Sequence, residues 1–192
     1  MKLEMLCSSG GGRTLSQFAL VSYIPGPLGR FLDRLRLELT PDCHPNAHVT
    51  VLPPRPVVAE LKEAVEHLVE DSALFPPFDI ELGDIDVFPI SSVIYLSVRR
   101  GEHEIRALHE ILNSGPVRFD CSFPYHPHVT IAQDFPPERL EELARLARQR
   151  WAEYHGSRKF TVERLAFVQN VAPLTWVDVA RVRLAVPVPA GR

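Results

Sequence analysis

His48-Val49-Thr50-Val51 and His128-Val129-Thr130-Ile131 are one short pattern written twice, eighty residues apart. Both copies are rich in β-branched residues, which favour a pleated strand. On a strand, side chains at i and i+2 point to one face. Each copy therefore sets an imidazole and a hydroxyl side by side, and Val49, Val51, Val129 and Ile131 face the other way, into a core. Each is also preceded by a proline-containing turn, His44-Pro45-Asn46-Ala47 in the first and Tyr125-His126-Pro127 in the second. Polar groups placed inside such a run cost stability unless they are paired or used.

Working outward, the two surroundings share one grammar. Ahead of the first copy, residues 16–24 read as a strand closed by Pro25-Gly26-Pro27, and Leu28, Phe31, Leu32, Leu35 and Leu39 mark a helix over 28–38. The motif strand runs over 47–52 and is stopped by Pro53-Pro54. A second helix follows, carried by Val57, Val58, Leu61, Ala64, Val65, Leu68 and Val69. Beyond it, 78–88 and 93–99 read as strands, 102–112 as a helix, and 128–132 as the motif strand, followed by Pro136-Pro137. The next helix has Leu140, Leu143, Ala144, Ala147 and Trp151 on one face, and strands over 160–169 and 175–186 close the chain. A unit this long in only two copies is no solenoid. The expected fold is α+β, with two pseudo-symmetric lobes, each a small, mainly antiparallel sheet with helices, around a central cleft. Residues 1–15 are expected to be a flexible lead-in and 16–192 a single bilobal domain.

Composition narrows the class. The 192 residues carry a formal charge of -3 and 45% hydrophobic residues, an ordinary globular balance that excludes broad electrostatic capture of nucleic acid. A small or terminal piece of nucleic acid is still admitted. No apolar run approaches the ~18 residues of a membrane span, and the start lacks the apolar core of a secretory signal. Three cysteines, Cys7, Cys43 and Cys121, make no disulfide scaffold. A monomer in the cytoplasm is the expectation.

Two imidazoles flanking one phosphorus can serve as base and acid in one displacement. Unperturbed histidine titrates near ~6.5, so both protonation states are within reach at neutral pH. The two threonine hydroxyls can donate hydrogen bonds to the non-bridging phosphate oxygens. On this reading His48 and His128 are catalytic, Thr50 and Thr130 bind phosphate, and no metal or other cofactor is required.

This paired pattern resembles the 2H phosphoesterase superfamily, which includes the bacterial 2′-5′ RNA ligase-like proteins and cyclic nucleotide phosphodiesterases. The likeness covers about residues 16–186 and rests on the two His-x-Thr motifs. It implies antiparallel sheets lining a cleft, with His48 and His128 as the acid/base pair and Thr50 and Thr130 as phosphate ligands. It also implies metal-independent hydrolysis, or reverse ligation, at a 2′,3′-cyclic or 2′,5′ phosphodiester of a nucleotide or RNA terminus. Two departures set the chain apart from the RNA ligase-like branch. Gln133 stands where a basic residue is common three positions after the second threonine, and Pro53-Pro54-Arg55 replaces an aromatic-Leu-Gly segment.

Other residues admit more than one reading. Arg55 is either a bidentate phosphate clamp or a solvated charge at a helix entry. Tyr125 and Gln133 are candidate substrate contacts, and Tyr23, Tyr125 and Trp176 either stack a nucleobase or serve as core and lid. His44, His48, His126 and His128 together would suit a metal hydrolase, although their spacing matches no established ligand set; otherwise His44 and His126 sit at the mouth of the site. Cys43 and Cys121 are expected to pack, and His67, His103, His109 and His155 to be surface residues on helices. A module that binds RNA or nucleotide ends without turnover is the remaining alternative.

Overall fold

The computed structural model describes residues 17–43, 46–88, 90–172 and 175–185. In chain order the elements are β1 (Gln17–Tyr23), α1 (Gly26–Leu39), β2 (His48–Pro56), α2 (Leu61–Ser72), β3 (Phe78–Phe88), β4 (Val93–Arg100), α3 (Glu102–Leu112), β5 (His128–Ala132), α4 (Leu140–Ala152), β6 (Lys159–Val162), β7 (Arg164–Ala172) and β8 (Thr175–Arg183). The strands form two four-stranded antiparallel sheets, ordered β2-β1-β7-β8 and β5-β4-β3-β6. The α+β class and the paired sheets agree with the sequence reading. The expected lead-in, 1–15, lies outside the described residues.

The duplication is interlocked. The first half contributes β1, β2 and β3, but β3 pairs with β4 and β6 of the second sheet. The second half contributes β4, β5 and β7, and β7 pairs with β1 of the first. Each sheet thus takes its motif strand and that strand's neighbour from one half of the chain, and its third strand from the other. The inner faces of both sheets and all four helices close on one continuous apolar cluster. Leu28, Leu32, Leu35 and Leu39 bury one stripe of α1, and Leu143, Ala144, Ala147 and Trp151 one stripe of α4. Gly29 lets α1 lie hard against the end of β1. A Cβ there would stand 1.9 Å from the Ile24 carbonyl oxygen.

Three boundaries differ from expectation, each for a physical reason. β2 does not stop at Pro53-Pro54 but runs to Pro56. It is an edge strand, and its register against β1 shifts between Phe18 and Leu20, so prolines without an N–H fit at the irregularity. The single strand read over 160–169 is two strands broken at Glu163, one in each sheet. Val57 and Val58 precede α2, and Val58 is exposed. Among the described residues no helix is long and apolar enough to cross a membrane.

Candidate active site

Both motifs lie on edge strands, β2 and β5, and these two edges pack against each other. Helices cross over behind them: α1 packs on β5, and α3 packs on β2. The alternation anticipated from sequence is present. Val49, Val51, Val129 and Ile131 are buried, whereas His48, Thr50, His128 and Thr130 are half-buried on the opposite faces. In the antiparallel register His48 stands opposite Tyr23 and Thr50 opposite Val21. His128 stands opposite Ser97, and Thr130 opposite Tyr95.

The two imidazoles are held in the same way. Nδ1 of His48 is 2.7 Å from the Asn46 carbonyl oxygen, and Nδ1 of His128 is 2.7 Å from that of His126. A carbonyl can only accept, so each Nδ1 carries the hydrogen and each Nε2 of the neutral ring keeps its lone pair. The turn before His48 is fixed by Asp33 on α1, whose Oδ1 accepts from the amides of Asn46 at 2.8 Å and Ala47 at 2.6 Å. Asn46 itself sits at φ 98°, a left-handed conformation that asparagine tolerates better than most residues.

Burial lowers the His48 pKa to about 4; the positive charges of Arg36 and His128 push the same way, against the Asn46 hydrogen bond and Asp33. Burial also lowers His128, helped by His126 and opposed by its own hydrogen bond to the His126 carbonyl.

The walls beside the two motifs differ. Next to His48 and Thr50 the first sheet offers a floor of small apolar residues, Ala19, Val21, Ala166 and Val168, flanked by Tyr23. The Tyr23 hydroxyl donates to Asp178 at 2.7 Å, and Arg181 donates to the same carboxylate at 3.0 Å. Burial and Asp178 push the tyrosine pKa upward. On the second sheet Phe88 stacks on Tyr95 with centroids 4.1 Å apart, and the His128 ring stands steeply inclined to both, its centroid 5.1 and 5.3 Å from theirs. His126 meets the same two rings at 5.2 and 5.6 Å.

The other sequence candidates have varied placements. Arg55 is 1% exposed. Its guanidinium donates to Asn113 and to the Val117 carbonyl, and its Nε to the Pro53 carbonyl. That burial fits neither the phosphate clamp nor the solvated charge. The Tyr125 hydroxyl donates to the Thr50 carbonyl at 2.6 Å, and its ring stacks on His109 at 3.9 Å, so both of its recognition groups face the protein. Gln133 is half-buried just beyond β5, its amide 3.4 Å from Asp134. Trp176 is partly exposed on β8. Cys43 and Cys121 are half-buried free thiols.

Two histidines read as surface residues prove otherwise. His109 is half-buried, with Nδ1 2.7 Å from the Val51 carbonyl and a pKa lowered by burial. His67 is half-buried, 3.0 Å from Ser114 and 3.4 Å from Asp71. His103 and His155 are exposed, the latter beyond the end of α4. His44, one of the four histidines of the metal alternative, lies outside the described residues. Among those described, no three His, Cys, Asp or Glu side chains gather as a metal-holding group. Sequence reading missed Asp33, Arg36, Phe88 and Tyr95. Their only signal was position, on a helix stripe or one to two strands over from a motif.

Two antiparallel sheets meeting at edge strands that each present His-x-Thr define a duplicated two-histidine α+β class. The chain belongs to the 2′-5′ RNA ligase superfamily, whose family model matches residues 24–172. It is 30% identical over 84 residues to a candidate phosphoesterase of Oceanobacillus iheyensis, covering 43% of this chain and 49% of that protein. A second candidate phosphoesterase, from Halalkalibacterium halodurans, is 28% identical over 110 residues, covering 52% of this chain and 63% of the relative. The chain thus spans between about half and under two thirds of the curated relatives it matches. Escherichia coli LigT crystallised with NADP+ superimposes with a TM-score of 0.65 at 19% identity, covering 90% of this chain and 99% of LigT. TT0787 of Thermus thermophilus gives 0.63 at 18% identity, covering 88% and 97%. These two structures show the same fold.

Proposed function

We propose that the protein is a metal-independent phosphodiesterase acting on a nucleotide or RNA terminus that carries a 2′,3′-cyclic or 2′,5′ phosphodiester. The observation that carries this reading is the matched tautomer: both Nδ1 atoms are held by backbone carbonyls, so both Nε2 atoms are left for proton transfer. In the reaction, one imidazole accepts a proton from water as its oxygen forms a bond to phosphorus. One P–O ester bond breaks, and the other imidazole gives its proton to the departing sugar oxygen. The Thr50 and Thr130 hydroxyls donate to the non-bridging oxygens, where negative charge shifts during the displacement. Run backwards, the same groups join two ends. Gln133, at the end of the second motif strand, is proposed to contact substrate beyond the phosphate.

The lowered pKa values of the two rings suit this chemistry. Burial removes the water that would stabilise an imidazolium, and a bound phosphodiester anion supplies compensating negative charge. A bound phosphodiester therefore favours the protonated form of either ring. Escherichia coli LigT has been crystallised with 3′-AMP, ATP and phosphate, ligands of the class this reading requires. The enzyme is proposed to work as a cytoplasmic monomer.

The test is turnover of 2′,3′-cyclic mononucleotides and a short 2′-5′-linked oligonucleotide in the presence of chelator, with products separated by chromatography. Turnover that persists with chelator and falls by at least about a hundredfold in His48→Ala and in His128→Ala supports the proposal. Activity abolished by chelator would point to the metal alternative. Ligand binding without turnover would make the protein a recognition module.

A further inference from the structure

An edge strand has backbone groups that no neighbouring strand satisfies. β2 and β5 are both edges, and they meet without joining into one sheet. No sheet hydrogen bond fixes one motif relative to the other, so what satisfies their free carbonyls matters for the distance between the two imidazoles.

Those carbonyls are held reciprocally. The Thr130 carbonyl accepts a hydrogen bond from the guanidinium of Arg36, which stands on α1 in the first half of the chain. The Thr50 carbonyl accepts one at 2.6 Å from the hydroxyl of Tyr125, in the second half. The same position of each motif, the carbonyl of its threonine, is gripped by a side chain from the opposite half. His109 of α3 adds a second grip on the first motif through the adjacent Val51 carbonyl at 2.7 Å.

The two donors are themselves braced. Tyr125 lies flat against His109, with ring planes 5° apart. Arg106 of α3 donates to the Tyr125 carbonyl and is held by Glu102 at 2.7 Å. Arg36 lies three residues beyond Asp33 on α1, and Asp33 fixes the turn that accepts the His48 Nδ1–H. One helix thus grips both motifs, the first through a carboxylate and the second through a guanidinium.

We propose that Arg36 and Tyr125 are positioning residues of the two-histidine site, a reciprocal clasp that sets the separation of the His48 and His128 imidazoles. The proposal rests on the phosphodiesterase reading for its consequence in turnover, but not for its geometry. Two groups that act on one phosphorus tolerate little misplacement, since a shift of about 1 Å can cost about a hundredfold in rate. The two halves of the clasp also differ in kind. Tyr125 contributes only a neutral hydroxyl. Arg36 adds a fixed positive charge that disfavours protonation of His48, and the other groups acting on that ring are Asp33 from α1, Tyr23 from β1 and His128 from β5.

The test compares the full chain with Tyr125→Phe, Arg36→Met and Arg36→Lys, using cyclic-mononucleotide turnover and an NMR titration of the histidine ring nitrogens. Tyr125→Phe keeps the stacked ring and removes only the hydroxyl. Folded Tyr125→Phe and Arg36→Met are expected to lose about tenfold or more in kcat while KM moves by less than about threefold, with partial recovery in Arg36→Lys. The His48 titration is expected to move upward in Arg36→Met and to stay in place in Tyr125→Phe. Wild-type kcat in both variants, or a loss confined to KM, overturns the clasp; so does a His48 titration unmoved in Arg36→Met. If Arg36→Met does not fold, Arg36→Lys and Tyr125→Phe carry the kinetic test. If the wild type turns over none of these substrates, the phosphodiesterase reading fails by itself, and the titration still decides whether Arg36 acts on His48.

Discussion

At His48, burial and the Arg36 charge both favour the neutral ring, and the result is a pKa near 4 in the folded chain against about 6.5 for a free imidazole. The sign of the consequence for stability follows. Between pH 6.5 and 4 the unfolded chain binds a proton at this residue that the folded chain refuses, so folding weakens as pH falls through that window and is unaffected by the ring above it. Comparing wild type with His48→Asn by urea denaturation isolates the term. Relative to the variant, wild type is expected to lose on the order of 2 kcal/mol between pH 7 and 4, after allowance for the solvent-facing part of the ring. A difference independent of pH would mean that His48 is not depressed. The same shifts set the kinetics. On the proposed mechanism, His48 is neutral above about pH 4 before substrate binds, and burial lowers the pKa of His128 as well. The kcat/KM profile is therefore expected to peak on the acidic side of 6.5, and the kcat profile to shift toward neutral pH, because bound phosphodiester raises both values. Coincident profiles would show that the anion does not compensate the buried rings.

Among the elements, β2 shows where a strand's sequence stops being informative. Its alternation was legible: valine in, histidine and threonine out, on one side of a proline pair. What that pair does was not, because Pro53-Pro54 reads as a stop unless the strand is known to lie at a sheet edge with an irregular register. The same ignorance hid Arg55, two residues further along the extended strand. It turns inward to Asn113 and the Val117 carbonyl beyond α3 and ties β2 to the opposite half of the molecule. Its charge therefore belongs to the fold. Arg55→Met keeps most of the side-chain length and removes every donor, leaving the buried Val117 carbonyl and Asn113 amide oxygen without this partner. The expected cost is about 3 kcal/mol in urea unfolding, with KM for a cyclic mononucleotide changed by less than about twofold. A KM raised tenfold at unchanged stability would restore Arg55 as a phosphate clamp.

On the scale of the whole molecule, the repeat itself was readable, strand, helix, motif strand, prolines, helix, strand, in each half. What no local pattern could reveal is that the last strand of each repeat joins the sheet of the other. Period and propensity report which face of a strand is buried, and the partner strand is decided by long-range packing. The exchange also explains why residues 160–169 looked like one strand: β6 completes the second sheet, Glu163 turns the chain, and β7 enters the first. The interlocking has a direct consequence for folding. A chain ending after β3 would hold β1 and β2 without β7, and β3 without β4 or β6. Its isolated pair of strands and unpaired third strand would expose apolar faces that the intact protein buries, and its helices α1 and α2 make their main contacts with β5, α4, β8 and α3 of the other half. Residues 1–90 and 91–192, made separately, are therefore expected to show neither native circular dichroism nor dispersed NMR amides. Mixed from denaturant at equal concentration, they are expected to recover both, along with cyclic-nucleotide turnover if the proposed activity holds. Independent folding of either half would mean that its own strands suffice, and that the exchanged third strand is dispensable to each lobe.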